Sequence, residues 1–386
     1  MYLRSLGLEQ FRCYERADIQ LGPGLNVLVG PNASGKTSVL EAIYLLAVTK
    51  SHRTSSDREL IRWEQPWGRV TGVFRGHDGR DVELRVTLAR KANGGGGDKS
   101  PRKTIEVNQV PRRRLAETIG QVAVVLFGPD DLALIKGPPS TRRRFLNAGI
   151  AQVRPAYLAD LLRYRQALRQ RNEHLRLVRR GMGDPALLGA WDAPLAESGA
   201  RLATARAEFC RTLAPEVEQI HYDLSGHTER LQVSYRSDLG EAFDVQSRRA
   251  LLRELLQRNV DRDIALGRTL SGPHRDELLV ELEGRPLRDF GSQGQQRTAA
   301  LSLTLAQAKA MQQWGQEAPI VLLDDCLSEL DETRARRVLQ LTESVEQVIV
   351  TTASWDRMLQ ELAGNARVYD VSAQAIRERT GNGRNP

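Results

Sequence analysis

Residues 24–48 constrain this chain more tightly than any other stretch. Gly22-Pro23-Gly24 turns into the buried-type run Leu25 to Val29. That run feeds Gly30-Pro31-Asn32-Ala33-Ser34-Gly35-Lys36-Thr37, and Ser38 to Val48 follows with Val39, Ile43 and Leu46 at helical spacing. The octet matches G-x-x-x-x-G-K-[ST] in the strand, loop, helix context that a phosphate-binding loop needs. Its glycines let successive backbone N–H groups curl around a phosphate, and the following helix aims its positive dipole end at the same charge. Gly30 to Ser38 are therefore the expected phosphate contacts. Lys36 is expected to reach the β- and γ-phosphates and Thr37 to ligate Mg²⁺.

A metal needs a carboxylate on the opposite side. Ile320-Val321-Leu322-Leu323 reads as a buried strand that ends in Asp324-Asp325. We assign Asp324 to Mg²⁺, directly or through water, and Asp325 to positioning or activating the attacking water. An acidic turn of purely structural purpose is the competing reading, and the phosphate loop argues against it.

At 386 residues the chain exceeds the roughly 250 to 300 at which single cores divide, so two lobes are expected. Residues 1–135 read as the lobe of the phosphate loop, with a hairpin over 69–90 and a strand over 103–110. The linker across 91–103 is either a disordered hairpin tip or a DNA-touching loop. Residues 136–270 read as a mostly helical insertion: a helix from about 155, a break at Gly181-Met182-Gly183-Asp184-Pro185, a second long helix from Ala186, and a third over 246–266. Residues 271–372 return to the first lobe through strands at Leu278–Leu282, Ile320–Leu323 and Val348–Thr352, and 373–386 read as a frayed tail. The fold class is α/β, with one parallel or mixed sheet split by the helical insertion.

Lysine and arginine total 56 against 48 acids, and the net +8 suits a polyanionic partner, nucleic acid before an anionic membrane surface. Arginine clusters at 112–114, 142–144, 163–180 and 334–337 are each either a solvated face or phosphate contacts; together they favour DNA. Aromatics are 5% of the residues, so duplex backbone is a better target than stacked single-strand bases. Cys13, Cys210 and Cys326 lie in no metal or redox spacing. The N-terminus alternates apolar and polar residues, and no run reaches the ~20 apolar residues of a membrane span. A soluble cytoplasmic protein is expected.

Three further segments carry a resemblance. Ser328-Glu329-Leu330-Asp331 resembles the D-loop of ATP-binding-cassette ATPases. Ser292-Gln293-Gly294-Gln295-Gln296 resembles their signature motif, and the inserted helical hairpin resembles the chromosome-maintenance and recombination-repair branch. Within that branch the chain looks like the RecF family of bacterial recombination mediators. Phe11-Arg12-Cys13-Tyr14, Lys50-Ser51-His52-Arg53, Gly137-Pro138-Pro139, Arg142 to Leu146 and Ser271-Gly272-Pro273-His274-Arg275-Asp276 carry that likeness over residues 1–372.

The resemblance implies an ATP- and Mg²⁺-dependent homodimer that sandwiches two ATPs. It implies binding to duplex, gapped or junction DNA and recombinase loading with RecO and RecR partners in repair and replication restart. Ser292 would then reach, in trans, the γ-phosphate held by the other copy, with Gln293, Gly294, Gln295 and Asp331 beside it. Two departures matter. Asp325 stands where a glutamate is usual, which implies slow hydrolysis, and Thr351-Thr352-Ala353 replaces the switch histidine, leaving Thr351 or Thr352 to sense the phosphate.

Arg12 has two readings, a nucleotide contact or an ordinary exposed arginine. His52-Arg53 either caps the first helix or reaches nucleotide. His274-Arg275-Asp276 is either a salt-bridged turn or part of the dimer interface. The alternative function is the nucleotide-binding subunit of a transporter, which leaves the arginine-rich hairpin unexplained; a stand-alone kinase is third, and it leaves Phe290 to Arg297 and the D-loop without a role.

Overall fold

The computed structural model describes residues 1–90, 101–113, 117–240, 244–315, 317–327, 330–343, 345–355, 357–362, 364–372 and 375–379. Most of the 91–103 linker, Arg114, Ser328 and Glu329 of the D-loop segment, and most of the tail lie outside them. The chain divides into two compact units, Met1–Asp131 with Asp223–Ser225 and Gln307–Pro386, and Leu132–Tyr222 with Gly226–Ala306.

The first unit holds two six-stranded sheets, where one sheet was expected. The difference follows from connection length. Tyr2–Phe11, Tyr14–Gln20, Trp67–Arg75, Asp81–Ala89, Arg102–Val107 and Val110–Arg112 pair antiparallel, through hairpins for the most part. Trp67–Arg75 alternates, burying Val70 and Phe74 and presenting Arg69 and Thr71 outward, as a half-solvated sheet requires. The other sheet runs Ala375–Glu378, Arg367–Ser372, Gly24–Val29, Gln347–Thr352, Ile320–Leu323, Val124–Phe127. It is parallel except for the Ala375–Glu378 edge, and its central strands Ile320–Leu323 and Gln347–Thr352 are buried throughout because both faces are covered. That edge strand corrects the expectation of a tail frayed from 373. The helix Lys36–Val48 shares one core with both sheets, its Val39, Ile43 and Leu46 joining Leu6, Leu8, Phe74, Leu322 and Ile349.

The second unit is mostly helical. Pro155–Arg179 and the long Gly189–Leu224 form the hairpin arms, and Asp184 closes the break by accepting from the Ala186 N–H at 2.9 Å. The single helix expected over 246–266 is two, Val245–Arg258 and Val260–Leu266, divided at Asn259. The strand expected at Leu278–Leu282 belongs to this unit. Glu277–Leu282 pairs antiparallel with Leu231–Arg236 and with Arg285–Pro286, so the chain returns to the first unit at Gln307, not at residue 271. No helix among the described residues is long and apolar enough to cross a membrane.

The segment Ser271–Asp276 is a buried, hydrogen-bonded turn. Arg206, almost wholly buried, donates to Pro273 O at 2.6 Å, Asn147 Oδ1 at 2.9 Å, Tyr157 Oη at 3.0 Å and Asp276 Oδ2 at 3.3 Å. The Tyr235 hydroxyl also donates to Asp276. His274 sits between the Tyr164 hydroxyl (2.6 Å) and Thr269 O (3.0 Å), and burial pushes its pKa down to about 4, so it is neutral near pH 7. Asp276 is thus ion-paired within the turn, to Arg206, whereas Arg275 is exposed.

Two basic clusters also lose members to the interior. Arg142 pairs bidentately with Glu277 at 2.7 and 3.0 Å, and fully buried Arg171 reaches Asp192 at 2.8 Å and Asp263 at 2.6 Å. Neither can serve as a DNA phosphate contact. Removing the arginine from such a pair strands a buried carboxylate, so Arg206→Met is expected to destabilise the protein by about 3–5 kcal/mol. A denaturation midpoint equal to the parent's would contradict this account of the turn.

Candidate nucleotide site

The phosphate loop leaves the strand Gly24–Val29 wedged against its neighbours. The Gly30 N–H donates to Thr352 O at 3.2 Å, and a Cβ on Gly30 would lie 2.0 Å from Val371 O, so only glycine fits. Gly35, at φ 107°, leaves no room either, because its Cβ would meet the Tyr14 hydroxyl at 2.5 Å. Between them Pro31, Asn32 and Ala33 form the exposed rim.

The helix that starts at Lys36 has no capping side chain and no acid in its first turn, so its leading N–H groups keep their positive potential. The Ser34 hydroxyl is buried and without a partner among the described residues. Lys36 folds back over the loop and donates to Gly30 O at 2.6 Å and Pro31 O at 2.9 Å. Burial lowers the Lys36 pKa, partly opposed by Asp325 and Asp324. An uncapped helix end, an orphaned hydroxyl and a tight cradle all fit a phosphate group. Ser38, by contrast, turns its side chain to the Cys13 thiol and gives its N–H to Gly35 O at 2.9 Å.

The acidic strand closes the site. The Thr37 hydroxyl donates to Asp324 Oδ1 at 3.1 Å, across 287 residues of sequence. The same oxygen accepts from the Thr351 hydroxyl at 2.6 Å, and Thr351 Oγ1 accepts the Asp325 N–H at 2.9 Å. Asp324 is buried, and Asp325 sits at φ 50°, a left-handed conformation that aspartate tolerates. A serine or threonine hydroxyl beside a carboxylate is a donor set suited to Mg²⁺.

Thr351 thereby holds the Asp324 carboxylate and the Asp325 backbone, a role that sequence reasoning missed. The Thr352 hydroxyl is taken up by Ser354 O at 3.0 Å. Both hydroxyls thus donate within the protein, as that of Thr37 in the phosphate loop does.

Arg12 behaves as a structural cation. Its guanidinium grips fully buried Glu41 with two bonds, 2.6 and 2.8 Å, and donates to Glu59 O at 2.8 Å. Burial raises the Glu41 pKa, but hydrogen bonds from Arg12 and Ser51 outweigh it and hold the carboxyl below its usual range. Arg53 adds a contact to Glu41 at 3.7 Å, and the His52 ring stands edge-on to Tyr44. Neither residue caps the first helix; the Thr49 N–H does so, donating to Leu45 O.

Ser292 belongs to the second unit and caps the helix Gln293–Trp314. Its Oγ accepts the Gln295 N–H at 3.2 Å while its own N–H donates to Gln295 Oε1 at 2.8 Å, a reciprocal capping box. Ser292, Gln293 and Gly294 are exposed. Asp331 caps the helix Glu332–Thr342 through the Arg334 N–H at 2.9 Å.

Thr351→Val removes the bridge while keeping the shape. It is expected to cut Mg²⁺-dependent ATP hydrolysis about 10- to 100-fold, as loss of a supporting hydrogen bond does at metal sites, with Thr351→Ser restoring it. Equal rates for the valine and parent proteins would show that the bridge is dispensable.

A family model described as the RecF/RecN/SMC N-terminal domain matches residues 2–377. The chain is 38% identical to a DNA replication and repair protein RecF of Halalkalibacterium halodurans, over 98% of this chain and 100% of that one. It is 37% identical to the corresponding protein of Latilactobacillus sakei, over 98% and 99%. A solved structure described as the recombination mediator protein RecF with ATP in the RecFOR pathway superposes with a TM-score of 0.86 at 29% identity, over 98% of both chains. An SMC head bound to the C-terminal winged-helix domain of ScpA shares the fold, with a TM-score of 0.57 at 14% identity over 100% and 98%. From its second residue to its last parallel-sheet strand, this chain belongs to the RecF family of ATP-binding-cassette-type ATPases.

Proposed function

We propose that this chain is an ATP-driven DNA clamp of recombinational repair and replication restart. Two copies close on two ATPs, hold duplex or gapped DNA, aid recombinase loading with RecO- and RecR-type partners, and reopen through slow hydrolysis. The observation that carries the reading is the hydrogen-bonded chain Thr37–Asp324–Thr351 at the mouth of a phosphate loop, in a chain similar to RecF proteins over nearly its whole length. A transporter subunit leaves that full-length similarity unexplained.

Bound ATP would supply the phosphoryl group and Mg²⁺ the charge that steadies it in transfer. Lys36 exchanges its loop carbonyls for phosphate oxygens, and Thr37 and Asp324 hold the cation. Asp325 orients the attacking water from a backbone pinned by Thr351. Its side chain is one methylene shorter than glutamate, so the carboxylate reaches less far, which favours a weak ATPase and a long-lived clamp. Ser292 accepts one hydrogen bond in its capping box and keeps its own O–H to donate to a γ-phosphate held by the other copy.

On this reading Asp325→Asn binds ATP and sediments as a persistent dimer. A variant that hydrolyses at the parental rate would remove Asp325 from its role. Duplex DNA should stimulate the parent ATPase, and affinity should fall steeply as salt rises, because each neutralised phosphate releases counterions. No DNA binding at low salt would sink the clamp.

A further inference from the structure

The signature serine is the end of a longer polar chain. Gln295 is engaged at both ends of its amide: Oε1 accepts the Ser292 N–H, and Nε2 donates to Glu229 Oε1 at 3.0 Å, from 66 residues away in sequence. Only one flip state of the amide serves both partners, since the N–H needs an acceptor and the carboxylate a donor. The other oxygen of Glu229 lies 3.1 Å from Nε2 of His221, a fully buried ring. His221 Nδ1 lies 3.2 Å from Ser302 Oγ, and Ser302 gives its own hydrogen to Thr298 O at 2.8 Å, so it accepts from the ring.

Thr298 and Ser302 stand on the helix that Ser292 caps. The network therefore leaves that helix at its first turn, passes through Glu229 and His221, and rejoins it further along.

A helix cap alone does not need this. The capping box already satisfies the end of the helix. The carboxylate of Glu229 adds a fixed rotamer for Gln295, a side chain that is otherwise free to turn. A fixed Gln295 side chain holds the Ser292 N–H, and with that backbone in place the Ser292 Oγ keeps one lone pair on the Gln295 N–H and its O–H on the open side.

We propose that Glu229 and His221 are positioning residues for the signature serine, holding Gln295 so that the Ser292 O–H is preset to donate to a phosphate bound by a second copy of this chain. This rests on the reading of Ser292 as a trans ligand.

The test breaks the link and then rebuilds it. Glu229→Leu removes the acceptor of the Gln295 amide and the carboxylate beside His221 Nε2, and leaves the capping box in place. Gln295→Glu keeps the capping box, which accepts glutamate, but sets two carboxylates together. Glu229→Gln is the conservative rescue: with the ring hydrogen on Nδ1, its carbonyl oxygen accepts from Gln295 Nε2 and its NH₂ donates to His221 Nε2.

Sedimentation with ATP should show Glu229→Leu and Gln295→Glu dimerising at least about tenfold more weakly than the parent, and Glu229→Gln within about threefold of it. ATP affinity of the monomers should stay within about twofold throughout, which separates positioning from lost folding. Glu229→Leu and Gln295→Glu proteins that dimerise like the parent, or a Glu229→Gln protein no better than Glu229→Leu, overturn the proposal. Ser292→Arg separates the two levels: if it alone abolishes dimerisation, the positioning role fails and the trans role stands, and if it dimerises normally both fail.

Discussion

The hydrogen bonds that Asp324 Oδ1 accepts from Thr37 and Thr351 are what the rest of the first unit serves. They join the phosphate loop, the acidic strand and the strand between them. For those groups to meet, three parallel strands must end level. The pairings Thr352 with Val29 and Leu323 with Val350 provide that level edge, and burial along Ile320–Leu323 and Gln347–Thr352 holds the register. Gly30 against Val371 O and Gly35 against Tyr14 are the close approaches that this alignment demands.

Charge is used in two ways. The surplus of +8 invites a polyanion, yet Arg142, Arg171 and Arg206 are buried in ion pairs that organise the helical unit, and Arg12 does the same beneath the loop helix. Such pairs gain little over apolar packing but are costly to break, so they specify one arrangement of the segments they join. The arginines left to meet a polyanion are the exposed remainder, such as Arg163 and Arg258, whose contacts to neighbouring acids are long, 3.7 Å each.

What could be read from the sequence was what is local. The phosphate loop and the acid pair are contiguous, each with its strand beside it, and both stand where they were expected. The expectation of one sheet failed because strand pairing is not local: Glu277–Leu282 reads as a strand but nothing nearby says that its partner is Leu231–Arg236. Arg12 read as either a phosphate contact or an ordinary exposed arginine, and its partner Glu41, on another element, carries no mark in the nearby sequence. Ser292 to Gln296 could be read as a signature motif, whereas Glu229 and His221 carry no local mark. Thr351 could be named as a candidate, but its task depends on a hydrogen bond to a strand 27 residues earlier.

The central claim is that a complete site takes its phosphate loop from one chain and its signature serine from another. Mixing Lys36→Ala protein with Ser292→Arg protein measures this directly, because each inactive parent carries the half that the other lacks. The account predicts that the mixture regains ATP hydrolysis that neither variant has alone. A mixture as inactive as its components would contradict it.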